Sequence, residues 1–169
     1  ERTFLNNIGS SYSMRPESLD DAFFAADIRL FGGTALVPPI HEALTSLLGR
    51  AHDPERLSVV STVYDFPNEK RHPESHWPLG ESLESYRLID LLVVDGEEAN
   101  RLTGTDSIEA ARREFIRRGL RAFVITRGTD DVFLYSEGDR FDAVECPMPI
   151  SRSNAAERGD VPWDTTGCG

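Results

Sequence analysis

Apolar and polar positions along the chain alternate in two rhythms, and the switches between them mark a series of short elements. Ile28 to Phe31 predicts a strand that ends on Gly32-Gly33. After Pro38-Pro39, the residues Ile40, Ala43, Leu44, Leu47 and Leu48 fall at helical spacing, with Gly49 as the predicted stop. Leu57 to Tyr64 is β-branched and reads as a strand closed by Asp65. The polar stretch from Phe66 to Leu79, with three prolines, reads as a loop, and a short helix is predicted over 80–88. Ile89 to Val94 is a buried strand closed by Asp95-Gly96, followed by a helix through Glu97 to Leu102 that ends at Gly104. Asp106 with Glu109 predicts the next helix start, its stripe being Ile108, Ala111, Phe115 and Ile116 and its stop Gly119. Ala122 to Ile125 is a strand closed by Thr126-Arg127-Gly128.

The flanks are less periodic. Residues 1–8 read as a strand, a remnant of an edge or lid strand, and Pro16 opens a short helix carrying Leu19, Ala22, Phe23 and Ala26. Val132 to Tyr135 and Phe141 to Glu145 flank Glu137-Gly138-Asp139 and predict a hairpin; Pro147 to Asp160 reads as loop. Strands alternating with helices from 28 to 126 predict βαβ units on a mostly parallel sheet, within one α/β domain. In such sheets the ligand lies outside the carboxyl ends of the strands. Four predicted strands end in residues with useful chemistry: Gly32-Gly33, Asp65, Asp95 and Thr126-x-Gly128. They are expected along one edge.

Charge narrows the partners. A formal net charge of −11 argues against nucleic acid, which selects a basic face. A nucleotide remains compatible, because backbone N–H groups, a few basic side chains and a metal ion can hold its phosphates locally. No apolar run approaches the length of a membrane helix; Leu88 to Val94 is interrupted by Asp90. Cys146 and Cys168 are too few for a disulfide framework or a zinc site, which suits a cytoplasmic protein. The chain opens at Glu1, inside a strand-like run, so targeting cannot be read from it.

The last six residues carry the most chemistry. In Asp164-Thr165-Thr166-Gly167-Cys168-Gly169 the two glycines let successive backbone N–H groups turn inward as an anion nest. A lone Gly-x-Gly is usually just a turn, and the Asp-Thr-Thr before it narrows the reading.

This segment resembles the Asp-Thr-x-Gly-Ala-Gly-Asp signature of the ribokinase-like (PfkB) carbohydrate kinases, with Cys168 where Ala is usual. Two other segments match in the same order. Asp95-Gly96-Glu97-Glu98 is similar to the family's Asn-x-x-Glu segment, with Asp95 replacing Asn, and Thr126-Arg127-Gly128 to its Thr-x-Gly turn, with Asp131 where a second Gly is usual. Asp65, Asn68 and Arg71 resemble an Asp-x-Asn-x-Arg strand end only loosely, since the spacing differs.

The resemblance implies an incomplete three-layer αβα Rossmann-like fold and ATP-dependent phosphoryl transfer to a hydroxyl of a sugar or nucleoside. It implies an anion hole at Gly167, Cys168 and Gly169, nucleotide contacts from Asp95, Thr126, Arg127 and Gly128, and Mg²⁺ organised through water by Glu98. A monovalent cation beside Asp164 and Thr166, and a homodimer, are further expectations of the same kind.

Competing readings stay open. His72, His76 and Glu74 could suggest a metal site, but Pro73 and the polar surroundings favour a solvated loop. The first-turn acids at Glu97 and Glu98 suit a helix dipole whatever their chemistry. Asp95 for Asn and Asp131 for Gly keep open a nucleotide- or sugar-binding protein without turnover; a generic α/β nucleotide binder is a third possibility. The family pattern places a catalytic Asp directly after the second glycine of the loop. The coding sequence is therefore predicted to continue from Gly169 with Asp; any other residue there would favour the generic binder.

Overall fold

The computed structural model describes residues 9–73, 76–128 and 131–149. Six strands form one sheet in the order β1-β2-β3-β4-β5-β6: Ile28–Gly32, Leu57–Ser61, Leu91–Asp95, Ala122–Thr126, Asp131–Ser136 and Val144–Pro149. The first four run parallel, and β5 and β6 return antiparallel. The helices are α1 (Asp21–Ala25), α2 (Pro38–Glu42), α3 (Leu44–Ala51), α4 (Phe66–Arg71), α5 (Ser85–Leu88), α6 (Gly96–Thr103) and α7 (Ile108–Arg117).

The strand order explains the layering. Each parallel crossover steps one strand in the same direction; such crossovers are almost always right-handed, which places the intervening helices on one face. The register shows which face. Phe31, Val60, Leu92 and Phe123 are successive cross-strand partners, and Val94, Ile125 and Phe133 form a second row. These residues are buried with Leu44, Leu47 and Leu48 of α3, Tyr86 of α5, Ala99 and Leu102 of α6, and Ala111 and Phe115 of α7. Phe123 stacks against Tyr135 at 4.9 Å between ring centroids and meets Phe115 at 5.4 Å.

On the opposite face Ile28 and Leu30 are 61% and 59% exposed. Val59, Leu91, Val93 and Val124 there are half-buried. Among the described residues the sheet and its helices thus form two layers of the expected αβα arrangement. Among the described residues β1 lies at one edge of the sheet, and exposed apolar faces and unpaired strand edges in general favour association.

Several local expectations are corrected. The helix after Pro38 is two helices, broken at Ala43 (φ −105°, ψ 10°), and α3 continues through Gly49 to Ala51. Glu81 supports that break from a distance: its carboxylate accepts from the backbone N–H of Thr45 (2.5 Å) and Ser46 (3.2 Å) and from the Ser46 hydroxyl (2.7 Å). Burial pushes the Glu81 carboxyl up, but the Ser46 and Thr45 hydrogen bonds prevail and hold it at about 2.

The predicted loop after Asp65 contains α4, because Asp65 caps it by accepting from Asn68 N–H and Pro67 sits in its first turn. The same stretch buries Trp77, whose indole N–H donates to Glu69. The helix in 80–88 is only Ser85–Leu88, and strands β2 and β3 are shorter than predicted. Ser107, accepting from Ala110 N–H, caps α7 in place of Asp106. The second hairpin strand lies at Val144–Pro149, not 141–145; among the described residues β6 is an edge strand, where a proline such as Pro147 is tolerated. The helix after Pro16 is a 3₁₀ turn, Pro16–Ser18, followed by α1 with Asp20 as its cap. The strand expected at 1–8 lies outside the described residues.

The α7 stripe provides a test. Phe115 is fully buried, whereas Ile116, placed in the stripe by spacing, is 40% exposed. Phe115→Ala is expected to cost about 3–5 kcal/mol in urea unfolding. Ile116→Ala is expected to cost less than about 1 kcal/mol, since the lost burial is partial and Ala favours the helix.

Candidate functional site

The carboxyl ends of β1 to β4 lie side by side, and their register is Gly32 beside Ser61, Ser61 beside Val93, and Asp95 beside Thr126. There the chain leaves the sheet, and a cavity of about 220 Å³ opens between β2, β3, β4 and α6. Ser61, Thr62, Val63, Val93, Val94, Asp95, Glu98 and Thr126 line it.

Asp95 ends β3 and caps α6, its Oδ1 accepting from Glu98 N–H at 2.7 Å. Glu98 Oε2 accepts in return from Asp95 N–H at 3.2 Å, which completes a capping box. Gly96 begins the helix where space is short: a Cβ would lie 3.2 Å from Ile108 Cδ1. Gly104, at φ 71°, closes α6 in the left-handed conformation that favours glycine.

Glu98 also receives the Thr62 hydroxyl, which donates to Oε2 at 2.5 Å. Both donors therefore meet one oxygen, and Oε1 has no hydrogen-bond partner among the described residues. Glu98 is only 7% exposed. Burial pushes its carboxyl above the ordinary value; the Thr62 hydrogen bond opposes this, and the negative charge of Asp95 adds to it.

Thr126 ends β4, and its hydroxyl has only a long 3.5 Å approach to Val94 O, beyond a normal O–H···O bond. Gly128 turns the chain at φ 62°, with open space where a Cβ would project. Arg127, expected to meet phosphate, forms an ion pair with Asp131 at 2.9 Å. The structure thus brings Asp95, Glu98 and Thr126 together. Asp164, Thr166, Gly167, Cys168 and Gly169 lie outside the described residues.

Asp65 belongs to a neighbouring cluster rather than to this cavity. It is buried beside His41, with Nε2 at 3.8 Å from its Oδ2. Pro78 O, 3.2 Å from His41 Nε2, can only accept, so Nε2 carries the proton and Nδ1 accepts from the Thr34 hydroxyl at 2.9 Å. Burial lowers the His41 pKa against the opposing pull of Asp65. Among the described residues no group of three or more His, Cys, Asp and Glu is placed to hold a metal; Glu74, the third member of the His72–His76 reading, lies outside the described residues. No described helix is long and apolar enough to cross a membrane.

Sequence reasoning missed Thr62 and His41. The polar pair Ser61-Thr62 at the end of a β-branched run was the available signal for the first. His41 sits on a helix face that also reads as ordinary core.

No sequence-family model matches the chain, and no curated protein matches it either. Solved structures do match in fold. A carbohydrate kinase from Agrobacterium tumefaciens has a TM-score of 0.56 at 22% identity, covering 78% of this chain and 39% of that one. Adenosine kinase from Anopheles gambiae, solved with P1,P4-di(adenosine-5) tetraphosphate, has a TM-score of 0.55 at 21% identity, over 86% of this chain and 47% of its own. Arabidopsis thaliana ribokinase, solved with ribose and ATP, has a TM-score of 0.52 at 17% identity, over 82% and 38%. The chain therefore carries a ribokinase-like α/β fold, and it spans less than half the length of each of these neighbours.

Glu98 gives a pH-dependent test. Its folded pKa is raised, so the native state holds the proton more tightly than the unfolded chain. Its contribution to stability is greatest below the unfolded pKa and is lost as pH rises through the folded one. Glu98→Gln keeps an acceptor for Thr62 and Asp95 while removing the buried charge. Its urea midpoint is expected to exceed that of the wild type at pH 7.5, with the gap narrowing towards pH 4. An equal gap at both pH values would contradict the reading.

Proposed function

We propose that the protein of which these residues form part is an ATP-dependent kinase that phosphorylates a hydroxyl of a sugar or nucleoside. The observation that carries this is the cavity at the carboxyl edge, lined on a ribokinase-like sheet by Glu98, whose Oε1 has no hydrogen-bond partner among the described residues, and by Thr126, whose hydroxyl makes only a long 3.5 Å approach to Val94 O. The sugar and nucleoside kinases among the fold neighbours support the same substrate class.

The described donor set fits Mg²⁺ carried in with nucleotide phosphates. Such an ion needs one or two carboxylates and keeps several waters, so it does not need a cage of three protein ligands. Glu98 Oε1, with Asp95 nearby, would hold or orient those waters. The ion would supply charge neutralisation at the transferring phosphoryl group.

The chain's own work is positioning and charge stabilisation. Thr126 Oγ1 and the backbone around Gly128 would donate to phosphate oxygens. The anion hole is assigned, by resemblance, to the N–H groups of Gly167, Cys168 and Gly169, and a monovalent cation to Asp164 and Thr166. In the reaction the acceptor oxygen forms a bond to the γ-phosphorus as the bond to the ADP oxygen breaks. The hydroxyl proton passes to the carboxylate expected after Gly169. A cytoplasmic homodimer remains part of this proposal.

Two observations favour a second reading. Arg127 is engaged by Asp131, and Asp95 puts a negative charge where phosphate would approach, which together suit a binding protein without turnover. An assay of the full-length protein with ATP and a panel of sugars and nucleosides separates the two. Phosphoryl transfer to at least one acceptor is expected, with Glu98→Gln lowering kcat by about 10–100-fold. ATP binding with no acceptor phosphorylated would leave the binding reading standing and remove the kinase.

A further inference from the structure

Thr62 lies outside α6, on the segment that leaves β2, yet it makes the shorter of the two hydrogen bonds to Glu98. The capping box alone does not need it: Asp95 N–H and Glu98 N–H are already satisfied within the first turn of α6. A capping box also leaves the carboxylate free to turn about its last torsion, because one hydrogen bond of 3.2 Å is its only tether. Thr62 adds a second tether from the segment that follows β2, on the same oxygen. The plane of the carboxylate is then fixed by β2 and β3 together, and Oε1 is the oxygen left without a partner among the described residues.

The alternative acceptor for the Thr62 hydroxyl is Val93 O, at 3.4 Å. A hydroxyl has one proton, and the 2.5 Å partner takes it. Val63 and Ser61 flank Thr62 in the lining of the same cavity, so the hydroxyl acts at the wall of the site.

We infer that Thr62 is a positioning residue that orients Glu98 so that Oε1 serves the cation of a bound metal–nucleotide complex. The inference rests on the kinase reading for the identity of that ligand. Partners that orient a metal-organising carboxylate affect metal affinity strongly, typically by about 10–100-fold. Thr62→Val keeps the shape and removes the donor; Thr62→Ser keeps the donor.

The test uses the full-length protein and Mn²⁺·ATP, with binding read by electron paramagnetic resonance of Mn²⁺ and therefore independent of turnover. Thr62→Val is expected to weaken Mn²⁺·ATP binding by about tenfold, while Thr62→Ser stays within about threefold of wild type and metal-free ATP binds all variants alike. Should Thr62→Val fail to fold, Thr62→Ala takes its place, with Thr62→Ser again the rescue. If Glu98→Gln weakens Mn²⁺·ATP while Thr62→Val does not, the positioning role is overturned and the kinase reading survives. If the wild-type protein does not bind Mn²⁺·ATP, the kinase reading falls and this inference falls with it.

Discussion

The fixed direction in which the parallel strands are laid down governs the rest of the structure. Four parallel strands added in sequence order, joined by the right-handed crossovers such sheets almost always use, lead to two outcomes together. The helices gather on one face, and every carboxyl end points to one edge. The first outcome builds the core around Phe31, Val60, Leu92, Phe123 and Phe115. The second collects Ser61, Thr62, Asp95 and Thr126 around one cavity, although they are distant in sequence. Packing and site are two consequences of one topological constraint.

At that edge, the groups that cap α6 also line the candidate site. Asp95 and Glu98 form a capping box, which any helix could use for stability. The added contact from Thr62 changes its character, since it falls on the oxygen already used for capping and leaves the other without a hydrogen-bond partner among the described residues. Burying the carboxylate away from water disfavours its charged form, which pushes the Glu98 pKa up. A group perturbed in this way in a cleft is a candidate for function.

Much of the fold was legible in the sequence because burial on one sheet face leaves a strong pattern. The β-branched run at Leu57, the apolar run before Asp95 and the stripe of Leu44, Leu47 and Leu48 each marked a real element. What escaped depended on partners far along the chain. Glu81 capping α3 and Trp77 closing over Glu69 and Arg101 cannot be seen in any local window. Ile116 was misjudged because helical spacing cannot separate the edge of a stripe from its centre. Of the candidate site, Asp95, Glu98 and Thr126 were legible from their strand ends. Thr62 was not, because its role lies in one hydrogen bond across the gap between β2 and α6.

The central claim is that the carboxyl edge of the sheet is where a metal–nucleotide complex sits. Paramagnetic broadening of backbone amide signals by Mn²⁺·ATP, recorded by NMR on the full-length protein, tests it most directly. The account predicts that Thr62, Asp95, Glu98, Thr126 and Gly128 lose intensity first, while Ser58 and Arg140 near the opposite ends of the strands keep theirs. Broadening centred on those opposite ends, or none at concentrations that saturate ATP binding, would contradict it.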